Sequence, residues 1–175
     1  HLVIIGRKQD IIRDKEGNPF SPDFIETRLK FSLYIKEAVT FGEGRPFITA
    51  LINIDQGNVG NWAEDRMIPY TTYTDLSQRP EVEQLILEEV TRVNAQLPLP
   101  MKIKRFILLY KLLDADDEEL TRTGKVRRRF VYGLYLPMIE AMYRGLDDVR
   151  VKGKIRYRDG QVGMIETMAR VITVF

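Results

Sequence analysis

The clearest candidate for chemistry in this chain is a lysine directly behind a glycine, in the stretch LTRTGKVRRR at residues 120–129. Gly124 lets the backbone turn with little steric restriction, so Lys125 can project from that turn on a long stem. The hydroxyls of Thr121 and Thr123 can hydrogen-bond the turn. A compact ammonium placed in this way suits a reaction in which negative charge develops or two anions meet.

Simpler interpretations of the same stretch remain open. Arg127, Arg128 and Arg129 taken alone read as the solvated start of an amphipathic helix, because charge runs are usually exposed faces. Nucleic-acid binding is not favoured, because aromatic residues are not interleaved with the basic ones and the net charge is only +2. A Walker-type phosphate loop is excluded, since no second glycine precedes Gly124 at the required spacing.

Composition excludes several other kinds of site. The 175 residues include no cysteine, which excludes a disulfide scaffold, a thiolate metal site and a Cys nucleophile. The single histidine, His1, argues against a Ser-His-Asp relay or a His-rich metal site. No apolar run approaches the length of a membrane span. An acidic run ahead of the lysine is predicted to be a solvated loop, so no metal site is expected. Its acids are Asp114, Asp116, Asp117, Glu118 and Glu119.

The elements that must position these residues are strands and helices in irregular alternation. They predict an α+β domain, with a small mixed β-sheet flanked by helices. The predicted helices begin at Ser21-Pro22-Asp23 and cover Asn58–Met67, Pro80–Leu97 and Val126–Arg144, the last one kinked at Pro137. The predicted strands are Leu2–Ile5, Asp10–Arg13, Tyr34–Gly42, Phe47–Asp55 and Arg105–Leu113, and residues 68–78 are predicted to be irregular.

The end of the chain carries the strongest hairpin signal, Asp159-Gly160, between Val149–Arg158 and Gln161–Val174. We therefore predict a main domain over residues 1–146 and an appended β-hairpin over residues 147–175. An exposed hairpin edge can pair with another chain, so self-association through this hairpin is one expectation. An alternative function also stays open. The chain would then be a non-catalytic binding module that uses the basic segment at residues 120–129 to bind an anionic partner.

Together, these stretches resemble the C-terminal domain of AMP-forming acyl-CoA synthetases, in the adenylate-forming superfamily. The opening LVIIGRKQDIIRDKEGNPFSPDFIETRL is similar to the family's Gly-Arg-x-x-Asp, glycine loop and Pro-x-x-Ile-Glu. LTRTGKVRRR is similar to its motif Thr-x-Ser/Thr-Gly-Lys-hydrophobic-x-Arg, and the segments between resemble the long-chain fatty acid branch. Because the chain opens directly on the strand-like HLVIIG, we expect a piece of a longer protein.

The resemblance implies a two-step ligase reaction. A carboxylic acid reacts with ATP and Mg²⁺ to give an acyl-adenylate, and the thiol of CoA then displaces AMP. The partner of this chain would be the N-terminal adenylation domain of the same parent protein, which would hold most of the ATP, the Mg²⁺ and the fatty acid. The small domain rotates between the steps. Because the phosphate-binding loop, the adenine pocket and the acyl tunnel would belong to the large domain, the isolated chain is expected to be inactive. The implied location is cytoplasmic, with the parent at the membrane surface as an open alternative.

The resemblance also assigns roles to single residues. Lys125 would be catalytic and would reach the carboxylate and the α-phosphate in the first step. Arg7 would contact the AMP ribose or phosphate, while Gln9 and Asp10 would form the hinge. Gly17 would belong to the loop that faces the CoA channel. Thr121, Thr123 and Gly124 would support the lysine motif. Pro19 and Gln9 depart from residues common in the family, and Glu26 reads as a structural brace of the loop.

Overall fold

The computed structural model describes residues 11–157 and 159–175, and it has a mixed β-sheet with helices on both faces. The strands are β1 (Ile12–Arg13), β2 (Pro19–Phe20), β3 (Ile35–Phe41), β4 (Ile48–Ile54), β5 (Ile103–Leu108), β6 (Asp148–Arg156), β7 (Val162–Arg170) and β8 (Ile172–Thr173). The helices are α1 (Pro22–Lys30), α2 (Gln56–Asp65), α3 (Tyr73–Ser77), α4 (Pro80–Asn94), α5 (Arg128–Leu134) and α6 (Leu136–Tyr143).

The central sheet has the strand order β3-β4-β5-β8. Strand β4 runs antiparallel to β3 and parallel to β5, with α2, α3 and α4 in the connection between the two parallel strands. All seven residues of β4 are buried, because this strand lies inside the sheet and both of its faces are covered. The predicted α+β architecture with a mixed sheet is confirmed.

Two apolar layers cover the sheet, one on each face. Side chains that alternate along β4, such as Ile52 and Ile54, pack with α1 and α4 in one cluster. Leu51, which points the other way, packs with Val131 of α5 and Ile139 of α6 in the second cluster. The period-two alternation of a strand thus separates the two layers.

Polar side chains form hydrogen bonds at the start of α1 and at the end of α4. The Ser21 hydroxyl accepts a hydrogen bond from the Phe24 amide at 3.3 Å, as the predicted N-cap requires. Helix α4 ends at Asn94, three residues before the predicted end. The Asn94 amide group donates to the carbonyl of Ile103 at 2.8 Å and accepts from its N–H at 2.9 Å. These bonds turn the chain into β5.

The helix predicted over Val126–Arg144 with a kink at Pro137 is divided in the structure into two helices, α5 and α6. Pro137 has no N–H to donate to the Gly133 carbonyl, and its ring would clash with that carbonyl in a continuous helix. It lies instead in the first turn of α6. Tyr135 forms the junction between the helices and is only 4% exposed.

Hydrogen bonds from side chains correct two further predictions. The strand predicted as Arg105–Leu113 ends at Leu108, because the side chain of Asn53 binds the carbonyl of Lys111 at 2.8 Å and the N–H of Leu113 at 2.9 Å. The segment predicted to be irregular contains α3, which Thr72 caps by accepting from the Asp75 amide at 3.1 Å.

The predicted C-terminal hairpin is present as the antiparallel pair β6–β7, which we call the ribbon. Its second strand ends at Arg170, so the predicted second arm of the hairpin is shorter than expected. Ile172 and Thr173 instead pair with Phe106 and Arg105 of the central sheet. The predicted boundary near residue 146 stays a prediction. Within the described residues, no helix has the length and apolar character needed to cross a bilayer.

Candidate functional site

Lys125 lies on a tight turn closed by backbone pairing between Leu120 and Val126. The Thr121 N–H donates to the Lys125 carbonyl at 2.7 Å, and the Gly124 N–H donates to the Thr121 carbonyl at 2.9 Å. The Thr121 hydroxyl accepts from the Lys125 N–H at 3.0 Å. The predicted helix start at Val126 is therefore two residues early, and a small hairpin-like turn carries the lysine.

The side chain of Lys125 is exposed at the end of this turn. Among the described residues, its ammonium forms no ion pair. Thr123 contributes through its hydroxyl, which lies 3.0 Å from that of Thr121. Gly124 has a φ of +83°, and nothing within 4 Å would meet an added Cβ, so backbone conformation and not crowding favours glycine here. The charge of Lys125 is thus available to an outside anion.

A buried carboxylate anchors the first side of the turn. Glu119 is 0% exposed and accepts hydrogen bonds from the Lys111 ammonium at 2.6 Å, from the Asp114 N–H at 3.1 Å and from the Tyr135 hydroxyl. The Glu119 carbonyl accepts from the Arg127 N–H at 2.9 Å, at the end of the turn. The prediction that Glu119 belongs to a solvated loop is wrong, since the Lys111 charge and a tyrosine hydroxyl compensate its burial.

The pKa values of the groups around Glu119 fit this ion pair. Burial alone would lower the pKa of Lys111, but its hydrogen bonds to Glu119 and to Asp117 at 2.9 Å outweigh burial and raise that pKa. Burial and the nearby Glu119 charge raise the pKa of Tyr135, which therefore keeps its proton and donates it. Near neutral pH Lys111 is therefore charged and Tyr135 keeps its proton.

A second buried carboxylate anchors the other side, where α5 begins. The Arg128 guanidinium donates to both oxygens of Glu26, at 2.9 Å to Oε1, and to the Thr40 carbonyl at 3.0 Å. Thr40 also donates to Glu26 Oε2 through its N–H at 2.6 Å and its hydroxyl at 2.8 Å. Arg128 is therefore more than helix surface. Glu26 is structural as predicted, but it braces β3 and α5.

Gly17 lies in the turn between β1 and β2 and has a φ of +86°. The Asp14 carboxylate accepts from the N–H of Glu16 at 2.9 Å and of Asn18 at 2.8 Å. Burial would raise the pKa of Asp14, but these bonds and that from the Asn18 side chain lower it. The Arg13 guanidinium also donates to the Gly17 carbonyl at 2.8 Å. The Gly17 loop is exposed, and hydrogen bonds within the loop hold its backbone in place.

The Gly17 loop and the Lys125 turn are connected indirectly. The Lys15 N–H donates to the Arg45 carbonyl at 2.8 Å, and the Arg45 side chain donates to the Tyr132 hydroxyl of α5 at 2.8 Å. Arg45 also pairs with Glu140, and this hydrogen bond lowers the pKa of the Glu140 carboxyl. A cleft of about 310 Å³ is lined by residues of β1, of β3 with the loop that follows it, and of α5. Its cationic lining is formed by Arg45, Arg128 and Arg129.

Not every predicted site residue falls in the described part of the chain. Arg7, Gln9 and Asp10 lie outside it. Within the described residues, no group of three or more histidine and acidic side chains is arranged to hold a metal ion.

Sequence reasoning missed the two anchors, Glu119 with Lys111 and Glu26 with Arg128. A weak signal exists for the first anchor, because Lys111 interrupts the apolar run FILLYKLL. A charge inside such a run suggests a buried partner. The second anchor depends on long-range folding, since Glu26 and Arg128 are 102 residues apart.

Comparisons with known proteins agree with this geometry. The sequence profile described as AMP-binding enzyme C-terminal domain matches residues 9–147. The long-chain-fatty-acid–CoA ligase FadD15 of Mycobacterium tuberculosis is 32% identical over 143 residues, which are 81% of this chain and 24% of that ligase. The putative fatty-acid–CoA ligase fadD11 of the same species is 32% identical over 82% of this chain and 25% of its own length. The chain thus spans about a quarter of these relatives.

The same fold occurs in a solved structure. The A domain of carboxylic acid reductase from Segniliparus rugosus, in complex with AMP and a co-purified carboxylic acid, matches with a TM-score of 0.63. It is 14% identical, and the match covers 81% of this chain and 21% of that one. This match supports the fold, and the profile over residues 9–147 decides the family. With its mixed sheet and its glycine–lysine turn, the chain belongs to the family of AMP-binding enzyme C-terminal domains.

Proposed function

We propose that this chain is the mobile C-terminal domain of an ATP-dependent, AMP-forming long-chain fatty acid–CoA ligase. In this function the carboxylate of a fatty acid attacks the α-phosphate of ATP, which forms an acyl-adenylate and releases pyrophosphate. The thiol of CoA then attacks the acyl carbon and releases AMP. The similarity to two mycobacterial fatty-acid–CoA ligases supports this proposal.

The observation that carries the proposal is an exposed Lys125 on a turn that two buried carboxylates hold from both sides. A carboxylate and a phosphate repel each other as they approach, and a shared ammonium offsets this repulsion as the new bond forms. The ammonium is useful only if it is held in the correct place, because small errors in position cost much of the rate. Glu119 and Glu26 are the positioning residues for Lys125.

Other residues take part in the rotation that we propose between the two steps. Arg7 contacts the ribose or phosphate of AMP, and Gln9 with Asp10 forms the hinge, which needs backbone rotation more than one particular side chain. After the rotation, Gly17 and its loop face the channel through which CoA enters. The anchored Gly17 turn supports this role, because a channel wall requires a fixed backbone.

The partner of this chain is the N-terminal adenylation domain of the parent protein. That domain holds most of the ATP and the Mg²⁺, as well as the acyl group, and it selects the carboxylic acid. Lys125 adds the charge that reaches the reacting oxygens, and CoA meets both domains as the second substrate. The isolated chain is accordingly inactive, and a parent that acts on another carboxylic acid is the alternative within the same chemistry.

Fatty-acid-dependent exchange between ATP and pyrophosphate tests this proposal. We expect exchange with the full-length parent protein and none with the 175-residue chain, at equal concentrations and with Mg²⁺ present. Comparing fatty acids of different chain length with aromatic acids in the parent would identify the substrate class. Robust exchange by the isolated chain, or none by the parent with any carboxylic acid, would contradict the proposal.

A further inference from the structure

Strand β6 carries a cation at every second position. These are Arg150, Lys152, Lys154 and Arg156, and Arg158 continues the alternation in the sequence. In a strand, every second residue lies on the same face. Val151 alternates with these cations along β6, and Ala169 alternates with their cross-strand partners along β7. Both residues belong to the second core cluster. Arg150, Lys152 and Lys154 therefore lie on the face of the ribbon that is turned away from the core.

Apolar side chains of β7 lie beside these cations. Arg150 is opposite Met168, Lys154 is opposite Met164, and Arg156 is opposite Val162. We call the surface formed by Arg150, Lys152, Lys154, Val162, Met164 and Met168 the ribbon face. Met164 is 70% exposed, Val162 57% and Met168 48%, so these large apolar groups face solvent. A basic row beside an apolar row makes this face amphipathic.

Within the described residues, Glu166 is the acid that pairs with cations of the ribbon face. Glu166 lies opposite Lys152, with its carboxylate 3.3 Å from Arg150 and 3.8 Å from Lys152. Both cations remain largely exposed, at 71% and 67% of their side-chain surface, so these ion pairs are weak. Asp148 lies opposite Arg170 at the base of the ribbon. Lys154 has no ion pair to any described residue.

The apolar row continues beyond the ribbon. A trough of about 430 Å³ separates β6 from α5 and α6, and Lys152, Lys154 and Met164 form part of its wall. Phe130, Leu134 and Pro137 form the opposite side. Leu134 is 52% exposed, so the apolar surface extends from the ribbon to the end of α5.

We propose that the ribbon face docks the protein on the surface of an anionic lipid bilayer. Rows of lysine and arginine are attracted to acidic headgroups, while methionine, valine and leucine side chains enter the boundary between headgroups and acyl chains. The three described cations extend over about 13 Å of strand, which is more than one small anion spans. This proposal does not depend on the role of Lys125.

Two other partners fit the ribbon face less well. Single-stranded nucleic acid is bound through aromatic stacking beside basic groups, and no residue of the ribbon face is aromatic. A second copy of the chain would place one row of cations against another, which repels. A bilayer satisfies both the basic and the apolar row.

Vesicle co-sedimentation tests the proposal. We expect the chain to bind vesicles that contain phosphatidylglycerol, to bind vesicles of pure phosphatidylcholine far more weakly, and to be released by high salt. The variant with Arg150, Lys152 and Lys154 changed to Gln should bind the acidic vesicles on the order of 100-fold more weakly, at about fivefold for each cation. The single variant Lys154→Gln, with an expected fivefold loss, replaces the triple variant if the triple variant does not fold.

The matched control removes three exposed cations from other surfaces, with Lys15, Lys36 and Arg66 changed to Gln. It loses the same net charge and should keep most of its vesicle binding. Met164→Ser combined with Met168→Ser should weaken vesicle binding several-fold, because the apolar groups no longer enter the bilayer. Equal loss in the control and ribbon variants, equal binding to neutral vesicles, or preferential binding of a single-stranded oligonucleotide would overturn the proposal. So would ribbon-dependent dimers without vesicle binding.

Discussion

Two exposed turns of the chain, one at Gly124 and one at Gly160, each have a glycine at positive φ, and they differ in the contacts that hold them. Gly124 has a φ of +83° and Gly160 a φ of +85°, and neither has an atom that would meet an added Cβ. The Gly160 turn is supported by local hydrogen bonds. The Tyr157 backbone bonds to Gly160 and Gln161, and the Asp159 carboxylate accepts from the Gln161 N–H. The Lys125 turn is also supported by buried ion pairs on both sides, at Glu119 and at Glu26.

This difference separates two uses of positive charge. A lysine that completes a reaction site must be held in place, because the rate depends on its position within fractions of an ångström. A row of cations that meets a fluid surface needs only the correct face and spacing. The buried anchors under Lys125 and the local support at Gly160 fit these two requirements.

The largest effect on folding is expected from the first anchor. Lys111→Met leaves Glu119 buried without its cation and should lower the free energy of unfolding by about 3–5 kcal/mol. The matched change on the ribbon, Lys154→Met, should stay within about 0.5 kcal/mol because that side chain is exposed. Denaturation with urea measures both. If both variants lost a similarly small free energy of unfolding, the Lys125 turn would not be held more firmly than the ribbon.

The second anchor should have an intermediate effect. Arg128→Gln removes the charge that binds Glu26 and the Thr40 carbonyl, at a cost of about 1–3 kcal/mol. The neighbouring Arg129→Gln, at an exposed position, should cost less than about 0.5 kcal/mol. Thermal unfolding of the two variants compares them directly. Equal midpoints would show that Arg128 is ordinary helix surface.

The two glycines should respond alike in stability and differently in function. Gly124→Ala and Gly160→Ala each force an L-residue into left-handed backbone, which costs about 1–2 kcal/mol. In the parent protein, only Gly124→Ala should also slow adenylation, because it displaces Lys125. Unfolding and pyrophosphate exchange are measured on the same variants. A matching loss of exchange with Gly160→Ala would contradict the assignment.

The smallest effect is a pH dependence. The pKa of Lys111 is raised in the folded chain, so its contribution is complete below its ordinary value of about 10.4 and declines as the pH rises through the folded value. The raised pKa of Tyr135 acts in the same direction, because unfolding releases its proton above about pH 10. The stability difference between the chain and Lys111→Met should shrink above about pH 9. A difference that does not shrink above about pH 9 would exclude this pairing.

Local patterns predicted what depends on local physics. The apolar stripe of α4, the cap at Ser21 and the paired strands of the ribbon follow from periodicity and turn chemistry, and the structure contains them. The lysine turn was recognisable because a glycine and two threonines surround Lys125. These signals need no knowledge of distant residues.

Distant contacts decided the rest. The break at Tyr135 combines a proline effect with a hydrogen bond to Glu119, sixteen residues away. Glu119 and Asp117 are neighbours in one acidic run, but only Glu119 is fully buried. Its burial depends on Lys111 and Tyr135 meeting in the folded chain, and composition alone carries no signal for such a meeting.

The most direct test of the central claim is Lys125→Ala in the full-length parent protein, with both half-reactions measured separately. We expect adenylation to fall on the order of 10²–10³-fold, because a preorganised charge at the reacting oxygens is lost. Thioester formation from supplied acyl-adenylate should be largely kept, and the free energy of unfolding should change by less than about 0.5 kcal/mol, since the side chain is exposed. Arg129→Ala is the control and should keep both steps. Normal adenylation, or an equal fall in both half-reactions of a folded variant, would contradict the account.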